Sequence, residues 1–347
     1  MIDRQPQFLI YRLVGKNKND MYKIAGLLVL LICLKGLSQD TVIVRTDITS
    51  EQQKKSEPDY TWIFSSPRLI NANTVELLSK GILEFKVTHN FGDIAGDGGG
   101  IKKFFGLDEA ADVRIGFQYG LSKRINLIAA RAKGAGNVQQ LYELGIKYRF
   151  LQQADDSKHP LSMTFFANAV VSTMKAGLVA GQENSFDNFS DRLSQTLQLL
   201  IARRFGKISL QVSPTLVNRN YVVIGDDKTL FALGGAFRLP VKGRFSLIFD
   251  YFHSFRSQSS IDFFKDTTLG RGGHGTLDGI RFYDALGVGV ELLTEGHVFH
   301  LNFTNATEIL ENRFIPRTVT SWGKGQFRWG FTISRDFDLL WKKKNGK

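Results

Sequence analysis

The six histidines and the serines near them are the residues that could form a hydrolase site in this chain. A nucleophilic serine needs a base within hydrogen-bond reach and a third group that orients the base. His253 and Ser254 are adjacent in a segment with two-residue periodicity, so their side chains point to opposite faces and do not pair. The sequence contains no GxSxG and no HExxH motif. We interpret the histidines as structural or interfacial residues, and a triad assembled from distant strands stays an open alternative.

Two glycine-rich stretches, GDGGG at 96–100 and GRGGHG at 270–275, have the composition of ligand-binding loops. A phosphate-cradling loop needs a parallel strand before it and a helix after it. The second stretch instead lies in a long polar connection, and the spacing of Asp93 and Asp97 fits no EF-hand calcium loop. We therefore interpret both stretches as outer loops and predict no catalytic residue, metal site or cofactor.

Functional residues would be positioned by short segments in which apolar and polar residues alternate. These segments begin near residue 80. In ILEFKVTHNF, Leu83, Phe85 and Val87 fall on one face, while Glu84 and Lys86 fall on the other. Such alternation predicts β-strands with one apolar face, and no later run approaches the ~18 apolar residues of a spanning helix. Twelve segments are predicted: 81–91, 112–120, 124–131, 140–151, 161–171, 192–204, 207–218, 229–238, 244–255, 281–293, 297–305 and 325–337.

Strand length, strand number and connection length favour a transmembrane barrel over a soluble sandwich, whose half-buried sheets would also alternate. Segments of about ten residues match the ~9–11 that cross hydrocarbon at a tilt, and bacterial single-chain barrels have an even number of strands. Connections after odd-numbered segments are mostly long and those after even-numbered segments mostly short, which is typical of outer loops and periplasmic turns. The predicted fold class is therefore all-β, an antiparallel up-and-down transmembrane β-barrel of about 12 strands, preceded by a signal peptide.

The apolar run that follows Met21 determines the predicted compartment. Its core, 24–34, is shorter than the ~20 residues of a spanning helix, and Lys23 supplies a positive charge before it. Gly36 and Ser38 are small residues placed for a cut after Ser38, so the order matches a secretory signal peptide. An uncleaved anchor is the alternative. Cys33 is the only cysteine, so the exported chain would have no disulfide framework.

Charge is spread unevenly along the chain, which has a formal net charge of +12. Residues 1–39 carry six basic and two acidic side chains, so the exported part keeps +8, half of it in the terminal KKKNGK. An exported chain without an aromatic-interleaved basic motif is not expected to bind nucleic acid. The predicted organisation is an upstream or extended N-terminus at 1–20, a signal peptide at 21–38, a periplasmic lead-in at 39–70, a barrel at 71–340 and a basic tail at 341–347.

Two stretches, LINANTVELLSKGILEFKVTHNFG and FFGLDEAADVRIGFQYG, resemble the start of a Gram-negative outer-membrane β-barrel family. That family is number 5777 among the catalogued domains of unknown function. The resemblance runs from about residue 60 to the last segment and includes YELGIKYRFLQQ. It implies an exported outer-membrane barrel and supplies no catalytic residues.

Charged residues on the inward-facing side of the segments carry the functional prediction. The basic ones are Lys86, Arg114, Arg124, Lys147, Arg149, Arg204, Arg238, Arg244, Arg281 and Arg328. The acidic ones are Glu84, Glu143, Asp250, Glu291 and Asp336. An interior excess of about five positive charges would favour anions, because lumen charge tunes pore selectivity. The candidate lumen-lining residues are Lys86, Arg114, Arg124, Glu143, Lys147, Arg149, Arg204, Asp250, Arg281, Glu291 and Arg328.

A narrow channel or transporter for small anionic solutes is the function that this charge pattern favours. The second hypothesis is a non-conducting structural or docking barrel, which Arg–carboxylate pairs across the lumen would support, and the third is an outer-membrane lipid-modifying enzyme. The predicted partners are outer-membrane lipid, the barrel-assembly machinery and small anionic solutes. The stretch LINANTVELLSKG before the first strand could fold as a short plug at the periplasmic mouth.

Overall fold

The computed structural model of the chain describes residues 60–96, 98–154, 158–265 and 279–340. The predicted signal peptide, Cys33, most of the predicted lead-in, the GRGGHG stretch and the basic tail lie outside these ranges. No helix within the described ranges has the length and apolar character that a membrane-crossing helix requires.

Twelve antiparallel strands form in the described part of the chain and close into a barrel in sequence order. The strands are β1 Ile82–Asp93, β2 Ala110–Gly120, β3 Ile125–Ala132, β4 Leu141–Leu151, β5 Ser162–Ser172, β6 Leu193–Phe205, β7 Ile208–Arg219, β8 Thr229–Lys242, β9 Phe245–Phe255, β10 Ala285–Leu293, β11 His297–Thr304 and β12 Arg328–Asp338. The described parts of the connections contain two short α-helices, α1 at Gln258–Lys265 and α2 at Glu311–Arg317. The predicted fold class and strand number are confirmed. The largest boundary errors are at β8, which extends to Lys242, and at β10, which begins only at Ala285.

Hydrogen bonds between the first and last strands close the sheet. Val87 of β1 lies opposite Ile333 of β12, and the register is regular until it shifts between Asn90 and Asp93. A sheet in hydrocarbon has no water to pair its edges, so closure is the arrangement that satisfies every strand.

The two faces of the strands differ as the alternation predicts. Outward residues such as Leu144 and Leu301 are exposed, whereas inward residues such as Asn126, Thr164 and Gln198 are buried. An apolar outer face and a polar inner face are typical of a barrel that stands in lipid.

Connection lengths assign the two ends of the barrel. The long connections are 94–109, 133–140, 173–192, 220–228, 256–284 and 305–327. At the other end, the connections 121–124, 206–207, 243–244 and 294–296 are two to four residues long, and 152–161, with ten residues, departs from the pattern. Short turns face the periplasm in barrels of this kind, and long connections face outward.

The space inside the barrel is occupied by two pieces of the same chain. Residues 60–79, here called the inner plug, enter from the periplasmic end, and residues 63–78 are buried apart from partly exposed Ser65. Residues 305–318, here called the outer plug, enter from the opposite end and include helix α2. The predicted plug therefore exists, but it reaches well beyond the mouth. Residues 60–70, predicted as periplasmic lead-in, belong to it because Ile63, Phe64 and Leu69 bury their side chains there.

Gly120 tests how closely the inner plug fits the wall. A β-carbon at this last residue of β2 would overlap the main-chain carbonyl of Ser79, where the plug leaves the barrel. We therefore expect Gly120→Ala to lower the free energy of unfolding by about 1–3 kcal/mol through overpacking. Thermal unfolding in detergent measures the change.

Gly235→Ala is the matched control. A β-carbon at Gly235 would meet only the carbonyl oxygen of Gln211, at 3.8 Å, so this variant should unfold like the parent protein. Equal stability of the two variants would show that the plug does not pack against the end of β2.

Candidate functional site

The inner plug is built around a hairpin at residues 66–74, SPRLINANT. The Leu69 amide donates to the Ala72 carbonyl at 2.9 Å, and the Thr74 amide donates to the Pro67 carbonyl at 2.9 Å. The Thr74 hydroxyl adds a bond to the carbonyl of Ser66 at 2.6 Å. Proline fits this position because only its carbonyl is required. The chain thereby turns inside the barrel with its own main-chain groups paired.

Asp250, near the middle of β9, binds the tip of the hairpin. One of its carboxylate oxygens accepts the main-chain amides of Asn71 at 2.7 Å and Ala72 at 2.9 Å. The other accepts the Asn71 side-chain amide at 2.9 Å. Asp250 is 0 % exposed, so these three donors replace the water that a buried carboxylate would otherwise need. A residue predicted to line the lumen therefore holds the plug.

Two lysines of the wall bind the base of the same hairpin. Lys147 on β4 donates to the carbonyls of Pro67 at 2.6 Å and Thr74 at 3.1 Å. Lys86 on β1 donates to the Ser66 hydroxyl at 2.8 Å and pairs with Glu84 at 3.1 Å. Both ammonium groups are buried and face plug oxygens rather than a water-filled pore.

Further wall charges pair with one another across the inner face of the sheet, and each Arg–carboxylate pair spans one intervening strand. Arg114 donates twice to one oxygen of Glu143, at 2.7 and 3.0 Å, and Asn168 donates to the other at 2.9 Å. Glu291 accepts from Arg238 at 2.7 Å and lies 3.2 Å from His300. These are Arg–carboxylate bridges of the kind that the non-conducting hypothesis expects.

The two plugs meet through Arg68. Its guanidinium pairs with Glu311 of α2 at 2.7 Å and donates to the carbonyl of Ile309 at 2.6 Å. Asn73 donates to the same carboxylate at 2.9 Å. The Arg68 and Glu311 side chains are 6 % and 0 % exposed, so removal of either would leave a buried charge without its partner. The periplasmic and outer halves of the lumen filling are thereby joined.

Apolar contacts accompany the polar ones. Phe252 on β9 packs edge-on against Phe314 of the outer plug, with ring centroids 5.1 Å apart. The surrounding cluster combines plug residues with inward residues of the wall: Ile63, Phe64, Leu69, Ile70 and Val75 with Ile128, Phe166, Leu200 and Ile248. The barrel interior thus has a packed core of the sort found in soluble domains.

An ionic cluster closes the outer end of the lumen. Glu183, in the connection between β5 and β6, accepts from Arg313 at 2.7 Å and lies 3.5 Å from Arg317 and 3.7 Å from Arg219. Burial alone would raise the pKa of Glu183, but the guanidiniums of Arg313 and Arg317 outweigh it and hold the pKa below its ordinary value. The stability that this carboxylate supplies is therefore present above about pH 4.5 and is lost only as the pH falls through the lower folded pKa.

Asp226 is the second carboxylate of this cluster. It pairs with Arg219 at 3.1 Å and with Arg256 on the connection after β9, and it lies 3.8 Å from Arg317. Burial again opposes ionisation, and Arg219 and Arg256 overcome it, so the pKa of Asp226 is lowered. Together the two carboxylates join four of the outer connections into one lid.

The balance of buried charge differs from the sequence prediction. Among the described residues, the buried acidic side chains are Glu76, Glu84, Asp112, Glu143, Glu183, Asp226, Asp250, Glu291, Glu308 and Glu311. The buried basic side chains are Arg68, Lys86, Arg114, Lys147, Arg219, Arg256, Arg313 and Arg328. The predicted positive excess is therefore absent from the buried interior of the described residues.

Most candidate lumen residues do face inward. Lys86, Arg114, Glu143, Lys147, Asp250, Glu291 and Arg328 are buried inside the barrel, and Arg149 lies at its periplasmic end beside Glu76 at 3.8 Å. Three candidates do not line the lumen. Arg124 lies in the turn before β3, Arg204 is exposed at the periplasmic rim, and Arg281 lies in the outer connection before β10. At Arg124 and Arg281 the alternating pattern continues past the strand ends, whereas Arg204 lies at the exposed end of β6 itself.

The residues that sequence reasoning missed are those of the plugs and the lid. Arg68, Glu311, Arg313, Glu183 and Asp226 lie in connections or before β1, where no periodicity indicates their partners. The run SPRLINANT, with its proline and asparagines, indicates a turn. It does not indicate how far inside the barrel the turn lies.

The strongest constellation for catalysis is His253 with Asp284, joined by a 2.8 Å contact between Nδ1 and the carboxylate. Ser254 offers only its main-chain amide to Asp284, at 3.4 Å, because its side chain points to the opposite face. Within the described ranges, no group of three or more His, Cys, Asp or Glu residues is arranged to hold a metal ion.

Comparison with known proteins gives a family match over most of the chain and several weak structural likenesses. A family model described as membrane-bound β-barrel domain, DUF5777, matches residues 64–337, which include most of the inner plug. No curated protein matches the chain.

Solved structures show a weak likeness. The chain resembles a KdgM porin at 7 % identity and a TM-score of 0.41, covering 74 % of this chain and 99 % of that one. A NanC porin matches at 6 % identity and a TM-score of 0.41, with 74 % and 100 % covered. The COG4313 outer-membrane channel from Pseudomonas putida F1 matches at 11 % identity and 0.41, with 76 % and 98 % covered. At identities and scores this low, the likenesses carry no functional information.

A substitution at Glu183 tests whether the ionic cluster stabilises the lid. Glu183→Gln would leave Arg313 and Arg317 beside a neutral amide in a buried site, so we expect the free energy of unfolding to fall by about 3–5 kcal/mol. Thermal unfolding in detergent measures this loss.

The control is Glu295→Gln at a surface ion pair. Glu295 lies 3.5 Å from Arg244 and its side chain is 94 % exposed, so its loss should cost no more than about 1 kcal/mol. If the two substitutions changed stability equally, the ionic cluster would not be holding the lid.

Proposed function

Because the chain belongs to the DUF5777 family of membrane-bound β-barrel domains, we propose that it is an outer-membrane channel that is closed at rest. The barrel lies in the bacterial outer membrane. In this proposal, the inner plug withdraws toward the periplasm and breaks its link from Arg68 to Glu311, and small polar solutes cross when the outer plug thereby released also moves aside. The observation that carries the proposal is that a separate segment of chain, rather than the side chains of the wall, fills the periplasmic half of the lumen.

The connectivity of the inner plug favours withdrawal. The plug precedes β1 and joins it at Gly81, so it can leave the lumen without the loss of any pairing among the twelve strands. Its other end, Tyr60, lies at the surface. Both ends of the plug are therefore at the periplasmic side, so the plug would leave the lumen toward the periplasm.

The chemistry of the wall also favours an interior that water can enter. Gln211 accepts the Val75 amide at 2.9 Å, Asn126 accepts the Leu78 amide at 2.7 Å, and Thr164 donates to the Val75 carbonyl at 2.8 Å. Each wall group could exchange its bond to the plug for a bond to water, so the net change per hydrogen bond is only about 0.5–1.5 kcal/mol.

Charge selectivity is expected to be weak rather than anionic. The predicted excess of positive charge included Arg124 and Arg281, which do not face the lumen, and the buried interior holds at least as many carboxylates as basic groups. The opened lumen should therefore pass small polar solutes of either charge.

The apolar cluster favours a second candidate, a barrel that never opens and serves as a structural or docking protein. Withdrawal would expose Phe166, Leu200 and Ile248 together with their plug partners, at about 1.5–3 kcal/mol for each fully buried side chain. In that case the outer connections would present the binding surface.

Ion conductance in planar bilayers separates the two candidates. Full-length protein should be silent for most of the recording. Asp250→Asn removes the charged acceptor of three plug hydrogen bonds, each worth about 1.5–3 kcal/mol, so openings should become at least about tenfold more frequent. Asp108→Asn, in an exposed outer connection, is the matched control and should behave like the parent protein.

The outcomes are distinct. Continuous conductance of the full-length protein would contradict closure at rest. Silence of folded Asp250→Asn protein, and of a folded variant that lacks residues 60–79, would contradict the channel and favour the permanently closed barrel. A strong anion preference of the open state would contradict the expected weak selectivity.

A further inference from the structure

A cavity lies at the periplasmic mouth of the barrel, beside the filled lumen. It has a volume of about 470 Å³ and is lined by side chains of the inner plug, the β2–β3 turn and the end of β4. We infer that this cavity binds the phosphate headgroup of an anionic phospholipid from the periplasmic leaflet.

The charge of the cavity points to an anion. Lys80, Arg124 and Arg149 all line it, and each comes from a different part of the fold. No acidic side chain is among the described lining residues. Glu76 lies behind Arg149 at 3.8 Å, but its other oxygen already accepts two main-chain amides of the inner plug, at 2.8 and 3.1 Å. Guanidinium groups bind phosphate oxygens through paired N–H donors.

The position of Phe150 points to a lipid rather than a soluble anion. Phe150 lines the cavity and belongs to the outward row of β4, where it stacks on Tyr148 with ring centroids 6.4 Å apart. The cavity is therefore continuous with the lipid-facing surface at the membrane–water interface. A phosphate can sit at the basic residues while an acyl chain follows Phe150 and Tyr148 into the hydrocarbon.

Four further lining residues suit the acyl-glycerol part of such a ligand. Leu77 and Leu78 are buried apolar residues of the inner plug, and Tyr60 and Trp62 are aromatic residues of the kind found at membrane interfaces. The volume falls in the ~300–1,000 Å³ range of ligand pockets and exceeds what inorganic phosphate alone would fill.

Binding of dihexanoyl phosphatidylglycerol to the full chain in neutral detergent tests the inference by calorimetry. Dihexanoyl phosphatidylcholine and inorganic phosphate are the comparison ligands. The double variant Lys80→Gln, Arg124→Gln should weaken phosphatidylglycerol binding by at least about tenfold. The matched control is Lys207→Gln, Lys242→Gln, which removes two exposed basic residues outside the cavity at the same end of the barrel and should change binding less than about twofold.

Each result decides the inference. Tight binding of phosphatidylglycerol, lost in the cavity variant alone, supports it. No binding, or an equal loss in both variants, overturns it, and so does inorganic phosphate or phosphatidylcholine that binds as tightly as phosphatidylglycerol. The heat-dependent gel mobility of each variant verifies that its barrel is folded.

Discussion

Hydrogen bonding between β1 and β12 is the constraint on which the rest of the structure depends. Because lipid offers no partner for a free edge, the twelve strands close on each other, and their number sets the width of the barrel. Barrels of about eight strands are filled by their own side chains, and much larger ones leave a channel. This barrel lies between those cases, and two segments of its own chain occupy the interior.

Filling the lumen with polypeptide brings main-chain donors and acceptors into a space without bulk water. Polar side chains at fixed positions of the wall supply hydrogen-bond partners for these main-chain groups. Asp250 accepts amides at the tip of the hairpin, and Lys147 donates to carbonyls at its base. Arg68 then links the hairpin to Glu311 of the outer plug. The interior therefore combines the paired polar groups of a buried site with the apolar packing of a core.

The strands were predictable from the sequence because their two faces meet different environments. Apolar and polar residues therefore alternate along each strand. The contents of the lumen were not predictable in the same way. Arg68 and the carbonyl of Ile309 are 241 residues apart, and nothing in the spacing of either connects them. Arg281 shows the opposite error, because an alternating pattern continued into a connection and gave a false lumen residue. The buried interior lacks the predicted excess of positive charge for both reasons. The carboxylates of the plugs and the lid were not foreseen, and residues such as Arg281 were counted as facing the lumen.

The central claim is that residues 60–79 occupy the lumen, and cysteine accessibility tests it most directly. In a Cys33→Ser background, Ser66→Cys would place a thiol at a position that is 1 % exposed, whereas Ser79→Cys would place one at the exposed end of the plug. With a charged maleimide and folded protein, we predict that the thiol at position 66 reacts on the order of a hundredfold more slowly than the thiol at position 79. Equal rates at the two positions would show that the segment lies outside the barrel and would contradict the account.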